Sequence, residues 1–251
     1  VDQNYFDVEH IIENPPIKWL EQKIVPGNRI GFDPWLHTAD AIRQFENLMN
    51  QKGGKLVPLN LNPVDEIWTD QPSIPLSPIV SHDIIYSGKS SIDKKIMVCE
   101  ALKQNDEDAV ILSSPESIAW LLNIRGSDVP RTPLPLSFVI LSRDGRISFF
   151  TDTRKVTSLV SAHLGNEVSV FPFKDIGKQL NTLIENQMKI RIDPKSNPTW
   201  FEQYIKKSNG FVSYGDDPIV SLKAVKNHVE LEGTRHAHLR DGVAFARFLH
   251  W

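Results

Sequence analysis

A single cysteine, Cys99, stands among 251 residues, which excludes an internal disulfide framework and suits a reducing compartment. No apolar run approaches the ~18 residues that cross a bilayer as a helix. The first ten residues, VDQNYFDVEH, have neither the basic nor the apolar region of a secretory leader. Neither sign of charge dominates: 28 Lys and Arg face 31 Asp and Glu, a formal net charge of −3. No field therefore invites nucleic acid or an anionic membrane. The Rossmann glycine fingerprint is missing. KGGK at 52–55 lacks the leading Gly and the Ser/Thr of a phosphate-binding loop. There is no H-E-x-x-H, no paired-cysteine zinc site and no G-x-S-x-G elbow.

What is present is ordinary globular composition, 40% hydrophobic and 24% charged, with alternating helix and strand signals. Asn14-Pro15 predicts a cap and first turn for IKWLEQKI. RIGFD (29–33) and KLVPLN (55–60) read as strands around a helix capped by Thr38, whose apolar positions Ile42, Phe45 and Met49 recur at spacings of three and four. Pro72, Pro75 and Pro78 then favour an extended connector. From Ser90 onward about five helices and five strands follow. SIDKKIMVCEALKQN is a helix that holds Cys99 as a core thiol, and AVILS (109–113) is a buried strand. Ser113 and Glu116 have capping-box spacing. LPLSFVILS and RISFFT (134–151) form a hairpin around Asp144-Gly145. A helix is expected over about 153–163, strands at EVSVF (167–171) and KIRID (189–193), and helices at KDIGKQLNTLIENQ and TWFEQYIKK, the latter closed by Gly210. A mixed sheet flanked by helices is the economical packing. The two α/β stretches are too divergent for the sequence to establish a repeat.

Two regions carry chemistry. The loop NIRGSDVPRTPLPL (123–136) bears Arg125, Gly126, Ser127 and Asp128. It is either a connection in which Arg125 and Asp128 pair locally, or a loop facing a binding cleft, since function concentrates on loops held by a rigid frame. In the second reading, removing Arg125 or Asp128 reduces turnover without a large loss of stability. The second region is a long helix from about Val225 to Trp251, which gathers His228, His236, His238 and His250. His236 and His238 point to different faces, while His228 and His236 share one without a visible third ligand. Phe245, Phe248, Leu249 and Trp251 point in separate directions. A helix apolar all round needs burial, so 243–251 is expected to fray or to pack against something outside this chain.

IAWLLNIRGSDV, with NPVDEIWTDQP (62–72) before it and AVKNHVELEGTRHAHLRDGVA after it, resembles the cytosolic X-prolyl aminopeptidases (aminopeptidase P) of the creatinase/prolidase superfamily. The resemblance runs through nearly the whole chain in matching order. It implies an α/β fold of two creatinase N-terminal-like domains with mixed sheets flanked by helices: the later, incomplete part of domain I over 1–80, domain II over 81–221, and over 222–251 the first helix of a pita-bread catalytic domain lying outside this chain. It further implies a cytoplasmic, manganese-dependent enzyme that removes the residue preceding proline from X-Pro peptides. Two Mn(II) are expected in the full-length enzyme and none in this chain, because the family's Asp, Asp, His, Glu and Glu ligands map beyond Trp251. No catalytic or metal residue is carried over. The implied partners are the catalytic domain and a second copy in a homodimer, with neither nucleic acid nor membrane. Two other readings stay open: a free-standing binding or scaffolding module of the same fold, and part of a prolidase- or creatinase-type hydrolase.

Overall fold

The computed structural model describes residues 2–251. Residues 2–72 with 198–200 form one compact unit, and 73–197 with 201–251 a second. The smaller unit contains α1 (Pro16–Lys23), β1 (Arg29–Phe32), α2 (Ala39–Gln51), β2 (Lys55–Pro58) and α3 (Pro63–Ile67). β1 and β2 pair in parallel, Arg29 opposite Lys55 through Phe32 opposite Pro58. The sheet here has two strands and is wholly parallel, where a mixed one was expected. Ile24, Leu48 and Met49 form its apolar centre, with Ile17, Leu20, Ile30 and Leu56 packed against them. Thr38 caps α2 as its sequence predicts, accepting from Ala41 N at 3.3 Å. Asn14 does not cap α1. Pro15 takes that place, held extended (ψ 156°) by the proline after it.

The larger unit begins with the irregular, proline-spaced segment 73–79 and continues through β3 (Val80–Ser81), α4 (Ile84–Ser87), α5 (Ser91–Gln104), β4 (Ala109–Leu112), α6 (Pro115–Leu122), β5 (Ile124–Arg125), β6 (Phe138–Ser142), β7 (Ile147–Phe150), α7 (Ser158–Leu164), β8 (Val168–Phe171), α8 (Ile176–Glu185), β9 (Lys189–Ile192), α9 (Thr199–Lys207), β10 (Phe211–Tyr214), α10 (Pro218–Ala224) and α11 (His228–His250). Six strands make a mixed sheet in the order β10-β9-β4-β6-β7-β8. β6 is antiparallel to both neighbours, and the remaining pairs are parallel. The hairpin turns at Gly145, whose φ of +91° a side chain would strain. Alternate residues bury opposite faces. Val110, Leu112, Val139, Leu141 and Phe149 meet Val98 and Leu102 of α5 and Ile118 and Leu121 of α6. Cys99 lies in this core, where burial pushes its thiol pKa up, as suits a packing residue. On the other face Phe138 stands edge-on to Phe201 of α9, 5.5 Å between centroids.

Three local expectations fail for identifiable reasons. The Ser113–Glu116 capping box does not form, because Ser113 Oγ donates to Ser196 O (3.0 Å) and accepts from Asn197 (2.9 Å), which commits it to the turn after β9. α6 therefore starts one residue later, after Ser114. The helix expected over 153–163 is split. A 3₁₀ turn at Thr153–Lys155 buries Lys155, Val156 is extended, and Thr157 caps a new helix. α9 does close at Gly210, whose N–H donates to Ile205 O at 2.8 Å, with Asn209 before it left-handed (φ +58°). The last helix starts at His228 rather than near Val225, because Asn227 and Glu230 make a reciprocal capping box. α11 is helical to its end, with Trp251 N donating to Arg247 O at 3.0 Å, yet none of its residues is buried, and Trp251 is 96% exposed. Phe245, Phe248 and Leu249 are exposed as well.

The structure also reveals an internal repeat. IGFDPWLHT (30–38) and IRIDPKSNP (190–198) both run from a strand through Asp-Pro into a helix and then a parallel strand. Asp33 Oδ1 accepts from Trp35 N (2.8 Å), as Asp193 Oδ1 does from Lys195 N (2.9 Å). The second oxygen of each carboxylate reaches the cap of the helix after the second strand. Asp33 Oδ2 accepts from the Asn62 amide (3.0 Å), and Asp193 Oδ2 from the Asp217 N–H (3.2 Å). Asn62 caps α3 and Asp217 caps α10.

Candidate functional site

α6 ends at Asn123 in a left-handed conformation (φ 50°), which turns the chain into β5 against β3. The loop that follows doubles back on itself. Gly126 N donates to Pro133 O (3.2 Å), Asp128 N to Leu134 O (3.3 Å), and Arg131 turns the tip at φ +65°. A Cβ on Gly126 would lie 2.8 Å from Pro135 N, so this close approach requires glycine.

The four predicted loop residues separate. Asp128 points into the interior, where its carboxylate forms an ion pair with Lys155, the two side chains being 1% and 2% exposed. Its Oδ2 also accepts from Leu136 N (2.7 Å), while Oδ1 is buried without a partner. Ser127 is exposed. Arg125 does not pair with Asp128. Its Nη1 donates to Ile124 O (2.8 Å) and, more weakly, to Ala119 O (3.4 Å). Its side chain lines a cavity of about 780 Å³ formed by α4, α5, α6 and the first turns of α11.

Facing Arg125 across this cavity are His82, Tyr86, Lys94, Trp120, Lys226, His228, Glu230 and His236, among others. Lys94 is 1% exposed. Its Nζ donates to Asn123 Oδ1 (2.6 Å) and Trp120 O (3.0 Å) and lies 4.4 Å from the Trp120 ring centroid. Burial brings its pKa down to about 8, against the pull of Glu230 and with the push of Arg125. Burial lowers the Arg125 and His82 pKa values as well, and Arg125 and Lys94 push His82 further down. Glu230 Oε2 accepts from Asn227 N (2.9 Å), which completes the cap of α11.

Lys94 escapes a motif search because lysine in a helix normally faces water. The signal is its spacing: it falls on the same stripe as the buried Val98 and Leu102, four and eight residues on. His228 and His236, singled out for sharing a face, do share this cavity. Among the described residues no group of three or more His, Cys, Asp or Glu side chains is placed to hold a metal ion.

Residues 70–230 match the family model of the creatinase/prolidase N-terminal domain. The chain belongs to that family. The creatinase-type assignment extends beyond this segment. The chain is similar to aminopeptidase P2 of Arabidopsis thaliana, 31% identical over 93% of this chain and 37% of that protein. It is equally similar to a probable Xaa-Pro aminopeptidase P of Leptosphaeria maculans, 31% identical over the whole of this chain and 43% of that protein. The solved X-prolyl aminopeptidase of Caenorhabditis elegans, described as a cytosolic enzyme with a di-nuclear active site, superimposes with a TM-score of 0.85. It is 31% identical and covers 94% of this chain and 39% of its own. The chain thus spans about two fifths of the length of the relatives it matches.

Proposed function

We propose that this creatinase-type chain is the non-catalytic portion of a metal-dependent aminopeptidase that releases an N-terminal residue preceding proline. Its domains cover 1–80 and 81–221, and 222–251 opens the catalytic domain. The observation that carries the reading is a likeness running end to end along the chain, in sequence and in fold, to proteins named for that activity. In this reading the enzyme is cytoplasmic and homodimeric, and these domains shape its cleft. Two Mn(II), held by residues outside this chain, would supply the activation of water for peptide hydrolysis. Among the described residues no helix is long and apolar enough to cross a membrane.

Within the loop the roles divide. Arg125, Gly126 and Ser127 form the cleft-facing edge. Asp128 is a positioning residue that holds this edge through Lys155. The test is to express the reading frame that contains this chain and assay an X-Pro peptide with and without Mn²⁺. Metal-dependent release of the first residue is expected from the longer product and none from the 251-residue chain. In the longer product Arg125→Ala is expected to lower kcat/KM about tenfold with an unchanged unfolding midpoint. A reading frame that stops at Trp251, or an inactive longer product, overturns the proposal and favours a free-standing module. Normal kinetics in Arg125→Ala overturns the role of the loop alone.

A further inference from the structure

We infer that the cavity between α4, α5, α6 and the start of α11 is a binding site for a small organic monocarboxylate with an apolar body. The inference rests on the geometry of the cavity and not on the aminopeptidase reading.

Three cations, Lys94, Arg125 and Lys226, and two carboxylates, Glu230 and Glu232, line the walls. Both carboxylates are engaged elsewhere: Glu230 accepts from Asn227 N in the helix cap, and Glu232 pairs with Arg235. Neither makes a hydrogen bond to Lys94 or Arg125, whose own donors reach only neutral acceptors, namely Asn123 Oδ1 and the carbonyls of Trp120, Ile124 and Ala119. A buried cation without a counter-ion is costly; Lys94 is one, and the half-buried Arg125 lines the same cavity. Burial is the main cause that lowers the pKa values of Lys94, Arg125 and His82, and Arg125 adds to the lowering of Lys94 and His82.

The Arg125 guanidinium is already oriented. Nη1 is tied to backbone oxygens at the end of α6, and the opposite edge, Nε with Nη2, has no acceptor among the described residues. That edge presents the two parallel N–H groups a carboxylate accepts. The indole N–H of Trp120, another wall residue, is likewise buried without an acceptor.

Charge and shape narrow the ligand. Among the Lys, Arg, Asp and Glu side chains, three cations against two carboxylates leave one net positive charge on the wall. This matches a monoanion, and the nearby Glu230 and Glu232 penalise a dianion such as phosphate. A volume of about 780 Å³ far exceeds a carboxylate group, and Ile85, Tyr86, Trp120, Val229 and Ala237 supply an apolar lining for the remainder.

The experiment is calorimetric titration of the 251-residue chain with benzoate, N-acetylproline and inorganic phosphate, together with amide and indole NMR shift mapping on the wild type. Saturable one-to-one binding of a carboxylate is expected, with the largest shifts at the Trp120 indole and around Arg125. Arg125→Gln is expected to weaken binding at least about tenfold. Arg125→Lys, which keeps the charge and loses the fork, is expected to weaken it less, and Lys226→Gln, which removes a wall cation but not the fork, is expected to weaken it too, by less than Arg125→Gln. Preference for N-acetylproline over benzoate identifies the acid as the carboxyl end of a peptide, and the reverse identifies a free aromatic acid. Tighter binding of phosphate overturns the monocarboxylate assignment. Absence of saturable binding, or shifts that map elsewhere on the wild type, overturns the site whether or not the variants fold.

Discussion

The two halves of the internal repeat use one backbone device under opposite dielectric conditions. In the smaller unit, Asp33 sits half-buried at the end of a two-stranded sheet and completes its bonding with the flexible amide of Asn62. In the larger unit, Asp193 is buried at the end of a central strand. It accepts from Lys195 N, Ser196 Oγ and Asp217 N, and Asn197 beside it bonds Asp193 N, Ile111 O and Ser113 Oγ. Burial also separates the units in composition. Among the described residues of 2–72 no charged side chain is buried, whereas the larger unit buries Lys94, Glu107, Asp128, Lys155, Asp193 and Asp217. The same turn therefore works with few partners at a surface, but within a thick sheet its polar groups must be fully matched. The larger unit has added to it a set of interior charges with no counterpart in the smaller.

The largest effect that tests this contrast is expected at the interior pair that the smaller unit lacks. Asp128→Ala leaves Lys155 charged and buried, which should cost ~3–5 kcal/mol in urea unfolding. Asp128→Leu with Lys155→Met should recover most of it. The sequence alone suggests that loss of Asp128 spares stability, and its buried partner reverses that expectation. A small cost for Asp128→Ala would show that the interior tolerates a lone charge.

Next comes the repeat itself. Asp193→Ala should destabilise by ~3 kcal/mol and Asp33→Ala by ~1 kcal/mol, since only the first strands several buried donors. Equal midpoint shifts would dissolve the comparison.

Lys94 gives a pH signature of comparable or smaller size. The unfolded chain keeps this proton to about 10.5, whereas the folded chain releases it near 8. The unfolded state therefore binds more protons within this window, and the unfolding free energy should climb by about 2 kcal/mol between pH 8 and 10. His82, Arg125, Lys89 and Glu230 act on or beside this group. Denaturant melts of the wild type against Lys94→Met isolate its part, and matching pH slopes would refute it.

The smallest effect compares caps. Thr38→Ala in the smaller unit and Asn227→Ala in the larger should each cost about 1 kcal/mol. Asn227 should lie at the upper end, because it also donates to Ser87 O at 2.8 Å. Thermal unfolding of the two variants ranks them.

Local chemistry made much of this legible. Thr38 and Asp144-Gly145 announce a helix start and a hairpin through side-chain and backbone rules that act within four residues. The capping box at Asn227 and Glu230 obeys the same rules but passes unnoticed inside a helix drawn too long. Ser113 misleads for the converse reason: its spacing is right, yet a partner some 80 residues away outcompetes the local bond. β10 escapes because FVSY is short, and its pairing comes from β9. The repeat is hidden because only Ile, Asp and Pro persist, while the hydrogen bonds that define it join positions distant in sequence. At the site, Arg125 is visible from its loop. Lys94 and Asp128 take their roles from burial, which a residue type alone does not declare.

The order of strands in the larger sheet also sets a timetable. β6 and β7 are joined by a four-residue turn and can zip by local closure, whereas β4 meets β9 only when Asp108 and Lys189, 81 residues apart, come together. Loop-closure entropy grows with that separation, and contacts so distant in sequence form slowly. The hairpin β6-β7 is thus positioned to condense first, while the β9-α9-β10 segment docks late along the exposed side of β4. Until it docks, the wholly apolar strand AVIL presents an open edge to solvent. The slow step in folding and the moment of greatest risk from aggregation coincide on a single seam.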